Sequence, residues 1–155
     1  MDKINDDLNP QEKYSKNIKI GISQGDFNGV GYEILIKCFS DSRIMESCTP
    51  ILYGSSKILS YFKKMTDQPN FPFTNIRNCE QAEKGKLNVL NIIQDEVKIE
   101  VGQQTEIAGQ LAALSLNAAC EDIMNGKFDA LVTNPINKKN IQSPTFHFIN
   151  WICNK

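Results

Sequence analysis

The sequence contains little of what marks a secreted, membrane-spanning or nucleic-acid-binding protein. Its first 16 residues are polar and acidic, without the basic start and apolar core of a signal peptide. No uninterrupted apolar run approaches the roughly 18 residues that a membrane-spanning helix needs. The formal net charge is -1, from 17 basic and 18 acidic residues scattered along the chain. We therefore expect a cytoplasmic protein that binds neither membranes nor nucleic acid.

The sequence also lacks the spacings of a disulfide framework or a metal site. Its five cysteines are an odd number without a C-x-x-C pair, which indicates reduced and mostly buried thiols. The only histidine, His147, is flanked by Phe146 and Phe148, as a packed side chain would be. A lone histidine without partners makes a poor metal site. We therefore expect no histidine-based metal centre in this chain.

What the sequence does contain is an alternation of β-type runs and helical patterns. Five runs are predicted as strands: 18–23, 50–53, 87–93, 97–101 and 129–133. Three helices are predicted: one carrying Ile34, Leu35 and Cys38, one capped by Ser55 or Ser56, and one over 105–125 capped by Thr105. Residues 66–77 are predicted as a loop with at most a short strand at its end. The alternation predicts one α/β unit with a mainly parallel sheet and helices on both faces.

Two of these elements have a composition typical of the protein interior. The helix over 105–125 is rich in small apolar residues around its whole circumference, so most of its surface is expected to be covered. The strand over 129–133 is apolar over most of its length and is interpreted as buried. Ligands gather at the carboxyl ends of strands in such sheets, and polar segments follow the strands over 18–23 and 129–133.

The first of these polar segments is rich in glycine. Its candidate ligand-binding residues are Gly25, Asp26, Asn28, Gly29 and Gly31. Glycines at a strand-to-helix turn let a phosphate or another anion approach exposed backbone amides. The spacing G-x-x-x-G-x-G is neither the dinucleotide fingerprint nor a P-loop. The alternative is a tight turn without a ligand, in which Asp26 or Asn28 caps the helix.

The second segment follows the strand over 129–133. Its candidate residues are Thr133, Asn134, Asn137 and Lys138. The lysine could donate a charged hydrogen bond to a substrate phosphate or carboxylate. The alternative is a solvated Asn-Pro turn with a surface lysine.

Taken together, the two segments resemble the 4-hydroxythreonine-4-phosphate dehydrogenase family. Residues 18–33 resemble its opening strand and its T-P-G-D-P-A-G-I-G-P-E signature, and residues 130–138 resemble its A-L-V-T-x-P-I-N-K motif. Departures from the signature are serine for threonine at Ser23, polar residues for prolines at Gln24 and Tyr32, and Phe27-Asn28 for Pro-Ala. The resemblance covers residues 18–148.

The resemblance implies a fold like that of isocitrate and isopropylmalate dehydrogenases, here incomplete. It implies NAD-dependent oxidation and decarboxylation of a phosphorylated secondary alcohol by a cytoplasmic homodimer, assisted by zinc, magnesium or cobalt. It divides the chain into a polar leader over 1–16, the amino-terminal part of the dehydrogenase over 17–148, and a segment over 149–155 that departs from the family.

The family's Gly-His-Thr-Glu segment and its metal-binding histidines are absent from this sequence. The chain is therefore expected to be truncated and inactive alone, without binding NAD or a metal by itself. Two alternatives remain open: a non-catalytic module that binds a phosphorylated ligand, and a remnant without function.

Overall fold

Strands and helices alternate along the part of the chain that the computed structural model describes, residues 17–144 and residue 146. The strands are β1 (Ile18–Ser23), β2 (Cys48–Gly54), β3 (Phe73–Ile76), β4 (Leu87–Asn91) and β5 (Ala130–Thr133). The α-helices are α1 (Gly31–Phe39), α2 (Ser42–Ser47), α3 (Ser56–Met65) and α4 (Glu106–Met124). A short 3-10 helix, Cys79–Gln81, lies between β3 and β4.

The strands form one parallel sheet in the order β3-β4-β2-β1-β5. Side chains of β2 alternate between its faces: Leu52 belongs to the apolar cluster with α1 and α3, whereas Ile51 and Tyr53 belong to a cluster with α4. The predicted parallel sheet with helices on both faces is confirmed. Ser23 is the register partner of both Tyr53 and Thr133, so β1, β2 and β5 end at one level.

Local sequence signals set several boundaries. The Ser55 side chain accepts a hydrogen bond from the backbone N–H of Ile58 at 3.5 Å and caps α3, which decides between the two predicted serines. Thr105 caps α4 through the N–H of Ala108 at 3.3 Å, as predicted. Gly126 follows α4 with a φ of 70°, the left-handed conformation that favours glycine after a helix.

Three predictions about these elements are wrong in whole or part. Residues 97–101 form no strand; instead the backbone N–H of Glu100 donates to the Asn28 side-chain oxygen, and the N–H of the following Gly102 donates to the Asn28 carbonyl. On α1, Leu35 is buried but Ile34 and Cys38 are exposed, because the helix turns Ile36 to the sheet instead.

The expectation that α4 and the last strand are covered is also wrong in part. Strand β5 pairs only with β1 among the described residues, and its Val132 is 48% exposed. Leu114 on α4 is 47% exposed. The described elements therefore cover neither of these side chains completely. An apolar strand composition therefore did not mean burial here.

Other expectations concern thiols and the chain ends. Cys48, Cys79 and Cys120 are buried, as expected of most of the cysteines, whereas Cys38 is exposed. The polar leader, His147, Cys153 and the segment over 149–155 lie outside the described residues. None of the helices in the described ranges has the length and apolar content that crossing a membrane requires.

Two fully buried tyrosines, Tyr32 and Tyr53, make the stability of the fold sensitive to alkaline pH. Burial raises the pKa of Tyr32 because its phenolate would lose hydration. Burial, and then hydrogen bonds with Asp122 and Cys79, raise the pKa of Tyr53. The pKa of a tyrosine in the unfolded chain is about 10, so both tyrosines bind their phenolic protons more tightly in the folded state. This contribution to stability is complete below that pH and is lost as the pH rises above it.

We therefore expect the urea midpoint of unfolding to fall above pH about 10, with a smaller fall in Tyr32→Phe than in the wild type. Tyr61→Phe is the control, because Tyr61 is 40% exposed, and it should keep the wild-type pH dependence. The assignment to Tyr32 fails if the urea midpoint depends on pH equally in both variants between pH 8 and 12.

The open edge of β5 generates a second prediction. Among the described residues β5 has a strand partner on one side only. Its other edge, beside the exposed Val132, favours pairing with another chain, and a lysine at such an edge opposes it. Val132→Lys should lower concentration-dependent association in sedimentation velocity runs without lowering the thermal midpoint. The matched control is Val101→Lys, at a residue that is 47% exposed but lies in a turn. Equal association of wild type and Val132→Lys would show that this edge is not the contact.

Candidate functional site

The two polar segments predicted from the sequence meet at the carboxyl ends of β1 and β5. The backbone N–H of Asp26 donates to the carbonyl of Pro135 at 2.9 Å, and the N–H of Asn134 donates to the carbonyl of Ser23 at 3.3 Å. The parallel register of β1 and β5 makes these bonds possible, because both strands end at one level. The structure therefore brings together two turns that are far apart in sequence.

Gly25 lies where the two turns are closest. Its φ is 68°, and a Cβ atom added to it would lie 2.3 Å from the Pro135 carbonyl oxygen. A side chain at this position would therefore meet both backbone strain and a collision with the second turn. Gly31 is also confined, because its Cβ would lie 3.2 Å from the carbonyl oxygen of Gln24.

Asp26 is 6% exposed and uses both carboxylate oxygens inside the protein. One oxygen accepts from the backbone N–H of Asn28 at 2.9 Å, and the other accepts from the Asn140 side-chain amide at 2.9 Å. The carbonyl of Asp26 accepts from the N–H of Gly29 at 3.1 Å, which closes a tight turn. Neither Asp26 nor Asn28 caps α1, since the capping position is Val30 and has no side-chain bond. That part of the tight-turn alternative is wrong.

Asn28 joins the glycine turn to two other segments. Its side-chain amide donates to the Thr105 hydroxyl at 3.0 Å, and its side-chain oxygen accepts from the N–H of Glu100 at 2.8 Å. Its backbone carbonyl accepts from the N–H of Gly102 at 2.7 Å. With 1% of its surface exposed, Asn28 fixes the segment before α4 against the turn.

The residues of the second turn have different environments. Asn134 is buried and directs its amide toward the carbonyls of Gln24 and Gly31, at 3.5 Å each. The side-chain oxygen of Asn137 accepts from the side-chain amide of Gln104 at 3.2 Å and from the N–H of Lys139 at 3.0 Å. Thr133 and Lys138 are exposed. Lys138 is therefore free to reach solvent beside the turn, as the surface-lysine alternative expects.

A shallow cleft of about 270 Å³ lies between the two turns and the segment before α4. Its lining residues are Asp26, Asn28, Gly29, Val30, Gly102, Gln103, Gln104, Pro135, Ile136 and Asn137. Four of the nine residues predicted from the sequence line the cleft: Asp26, Asn28, Gly29 and Asn137. Gly25, Gly31 and Asn134 are not in the lining, and they pack where the two turns meet. No lysine or arginine belongs to the lining set, so its polar groups are amides and the engaged Asp26 carboxylate.

Sequence reasoning missed two supports of this cleft, Asn140 and Gly109. Asn140 donates to Asp26 and also to the carbonyl of Thr105 at 3.0 Å. Its own carbonyl oxygen lies only 1.8 Å from where a Cβ on Gly109 would be, so α4 must have glycine there. A glycine inside a helical run was the available signal, because it lowers helix stability and needs a packing reason.

The described residues do not fit a metal centre. Within residues 17–144 and 146, no group of three or more histidine, cysteine, aspartate or glutamate side chains could hold a metal ion. Asp26 is the only carboxylate that lines the cleft, and both of its oxygens are already hydrogen-bonded.

Comparison with known proteins places this chain in a family. Residues 46–152 match the model of the family described as pyridoxal phosphate biosynthetic protein PdxA. This stretch includes β5, the second turn and α4. The chain belongs to the PdxA family. The resemblance drawn from the two motifs is thereby confirmed.

Individual PdxA relatives agree with this assignment. A Bacteroides thetaiotaomicron 4-hydroxythreonine-4-phosphate dehydrogenase is 46% identical over 132 residues, covering 84% of this chain and 36% of its own length. A Clostridium botulinum protein provisionally named D-threonate 4-phosphate dehydrogenase is 33% identical over 138 residues, covering 84% of this chain and 40% of its own length.

A solved structure shares the fold of this PdxA chain. The crystal structure of a Burkholderia phymatum 4-hydroxythreonine-4-phosphate dehydrogenase superimposes with a TM-score of 0.75 at 27% identity, over 82% of this chain and 39% of that one. The chain thus spans between a third and two fifths of the length of the relatives it matches.

The contact at Gly25 predicts an unequal response of two glycines to alanine. Gly126 has a φ of 70°, close to the 68° of Gly25, but no atom within 4 Å of an added Cβ. Gly126→Ala should cost about 1–2 kcal/mol from backbone strain alone. Gly25→Ala should cost roughly 1–3 kcal/mol more, because the added methyl collides with the second turn. Urea unfolding of both variants measures the difference, and equal losses would contradict the packing of the two turns.

Proposed function

We propose that this chain supplies part of the substrate site of a dehydrogenase acting on a four-carbon hydroxy acid 4-phosphate. The observation that carries the proposal is the contact of the two family motifs across the Asp26 to Pro135 hydrogen bond of 2.9 Å. Two relatives are named 4-hydroxythreonine-4-phosphate dehydrogenase and D-threonate 4-phosphate dehydrogenase, and both names specify such a substrate. The activity belongs to pyridoxal phosphate biosynthesis, as the family description states.

The cleft fits the uncharged part of such a substrate better than its phosphate. The carboxamides of Gln103, Gln104 and Asn137 offer both donors and acceptors to hydroxyl groups. The described residues that line the cleft include no lysine or arginine. Lys138 follows Asn137 and is exposed. We assign the hydroxyl-bearing carbons to the amide-lined cleft and the phosphate to Lys138, which donates as a point charge.

We propose further that oxidation itself needs more than the described residues. The NAD implied by the resemblance would accept the hydride from the substrate carbon. The glycine turn does not have the dinucleotide fingerprint, and the described residues fit no metal centre. The proposed role of this chain alone is therefore to bind and orient the phosphorylated substrate without turning it over. A homodimer in the cytoplasm is the assembly that the resemblance implies.

A non-catalytic module that binds phosphorylated ligands is the second candidate. The observation that favours it is the separation of the amide-lined cleft and Lys138 from any described redox or metal group. Both functions predict that this chain binds a phosphorylated ligand. They differ in selectivity, because a dehydrogenase substrate site should prefer the four-carbon hydroxy acid phosphates and a general module should not.

Isothermal titration calorimetry of the 155-residue chain tests the proposal. We expect binding of 4-hydroxythreonine 4-phosphate or D-threonate 4-phosphate, with inorganic phosphate bound more weakly because it leaves the cleft empty. Lys138→Ala should weaken binding roughly tenfold, the size of one charged hydrogen bond. Lys64→Ala, at an exposed lysine on α3, is the matched control and should bind as the wild type does.

The outcomes separate the candidates. Binding of the four-carbon phosphates that is clearly tighter than binding of inorganic phosphate favours the dehydrogenase part, and equal binding of both favours the module. If neither four-carbon phosphate binds, the proposed site is wrong and the remnant interpretation stands. NADH absorbance at 340 nm is expected to stay flat with zinc or magnesium added, and measurable turnover would overturn the claim that this chain does not catalyse alone.

A further inference from the structure

Gln24, at the start of the glycine turn, is completely buried and holds three neighbouring segments. Its backbone N–H donates to the Ser115 hydroxyl of α4 at 2.9 Å, and that hydroxyl donates to the Tyr53 carbonyl of β2 at 2.6 Å. Its own carbonyl accepts the Asn134 amide at 3.5 Å. Gln24 is thus fixed in place by contacts that do not involve its side chain.

The Gln24 side chain connects the start of the turn to its end. Its oxygen accepts a hydrogen bond from the Tyr32 hydroxyl at 2.8 Å, and both side chains have no exposed surface. The same hydroxyl accepts from the backbone N–H of Ser55, the capping residue of α3, at 3.2 Å. The Tyr32 ring stacks on Phe62 of α3 with centroids 5.5 Å apart.

Gly54 shows how closely this hydroxyl is fitted. A Cβ added to Gly54 would lie 2.6 Å from the Tyr32 hydroxyl and 3.2 Å from the Gln24 side-chain oxygen. The end of β2 therefore leaves just enough room for the Gln24 to Tyr32 hydrogen bond. A hydrogen bond buried in this way is stronger than one in water. Leaving the Gln24 side-chain oxygen or the Tyr32 hydroxyl without this bond would cost free energy.

We infer that Gln24 and Tyr32 are a coupled pair of positioning residues, whose hydrogen bond closes the glycine turn and fixes the shape of the cleft. Gln24 and Tyr32 lie at the two ends of the glycine turn and bond to each other. Between them, Asp26, Asn28, Gly29 and Val30 line the cleft. Gln24 and Tyr32 are also the two positions where this chain has polar residues in place of the prolines of the family signature. A proline at either position could form neither this bond nor, at Gln24, the bond to Ser115.

The pair makes a specific energetic prediction. Removing one partner leaves the other buried without this hydrogen bond. Removing both leaves neither group of the pair unpaired, and the Ser55 N–H then loses the Tyr32 hydroxyl just as it does in the single Tyr32 variant. Tyr32→Phe and Gln24→Met should each lower the equilibrium constant for folding roughly tenfold. The double variant should lose clearly less than the hundredfold product of the two, because the pair is coupled.

The role as positioning residues rests on the substrate cleft proposed above and needs its own measurement. In heteronuclear NMR spectra, the amide signals of Gly25, Gly29 and Gly31 should shift in Tyr32→Phe. Tyr61→Phe is the matched control. Tyr61 also contacts the Phe62 ring, but it is 40% exposed, so removing its hydroxyl should leave these signals in place. Binding of 4-hydroxythreonine 4-phosphate should weaken several-fold in Tyr32→Phe and not in Tyr61→Phe.

Each outcome decides one step. Stability losses that multiply to the full hundredfold overturn the coupling, and glycine signals that stay in place overturn the positioning role. If Gln24→Met does not fold, Tyr32→Phe retains the ring stacked on Phe62 and its glycine signals decide alone. If the wild type binds no substrate, the proposed function fails, while the coupling and the glycine signals still test the pair.

Discussion

The candidate site depends on the approach of the Gly25–Asp26 backbone to the carbonyl of Pro135. This contact requires a residue without Cβ at position 25, with a φ of 68°, and two parallel strands that end at one level. Because the contact holds the two turns together, Asp26 can reach Asn140. A displacement of either turn would open the cleft and break bonds in both segments at once.

Neutral amides hold the surrounding loops together. Asn28 and Asn140 bridge the turns to the start of α4 through hydrogen bonds of 2.8 to 3.0 Å. Burying an amide that has its partners costs far less than burying a charge, which explains how this end of the sheet remains well packed without ion pairs in its lining. Asp26 is the one buried carboxylate among the described residues, and two N–H groups donate to it, which offsets the cost of burying its charge.

The position of the site at the side of the sheet follows from the place of β5. This strand carries the second turn, and among the described residues it has a partner on one side only. Val132 of this strand is exposed. A strand that paired with β5 in parallel register would end beside Thr133 and the second turn. The matched relatives are between two and three times longer than the stretch they share with this chain.

By itself, the sequence determined the alternation of strands and helices, the capping of α4 by Thr105 and of α3 by one of two adjacent serines, and the family. These features depend on neighbouring residues, whose periodicity and turn chemistry can be read along the chain. It also located the two turns, because glycines and the Asn-Pro pair mark them directly. It could not show that residues 97–101 would become a loop bound to Asn28, since that depends on a partner about 70 residues away.

Only the tertiary structure decided which polar groups are spent on packing and which remain available. Asp26 was a candidate ligand by type, yet its oxygens are engaged by Asn28 and Asn140. Burial of β5 and α4 depended on how many neighbours they have, which composition does not record. The bond between Gln24 and Tyr32 arises because the turn returns to its own start, and side chains eight residues apart meet there only once the sheet and α3 are in place.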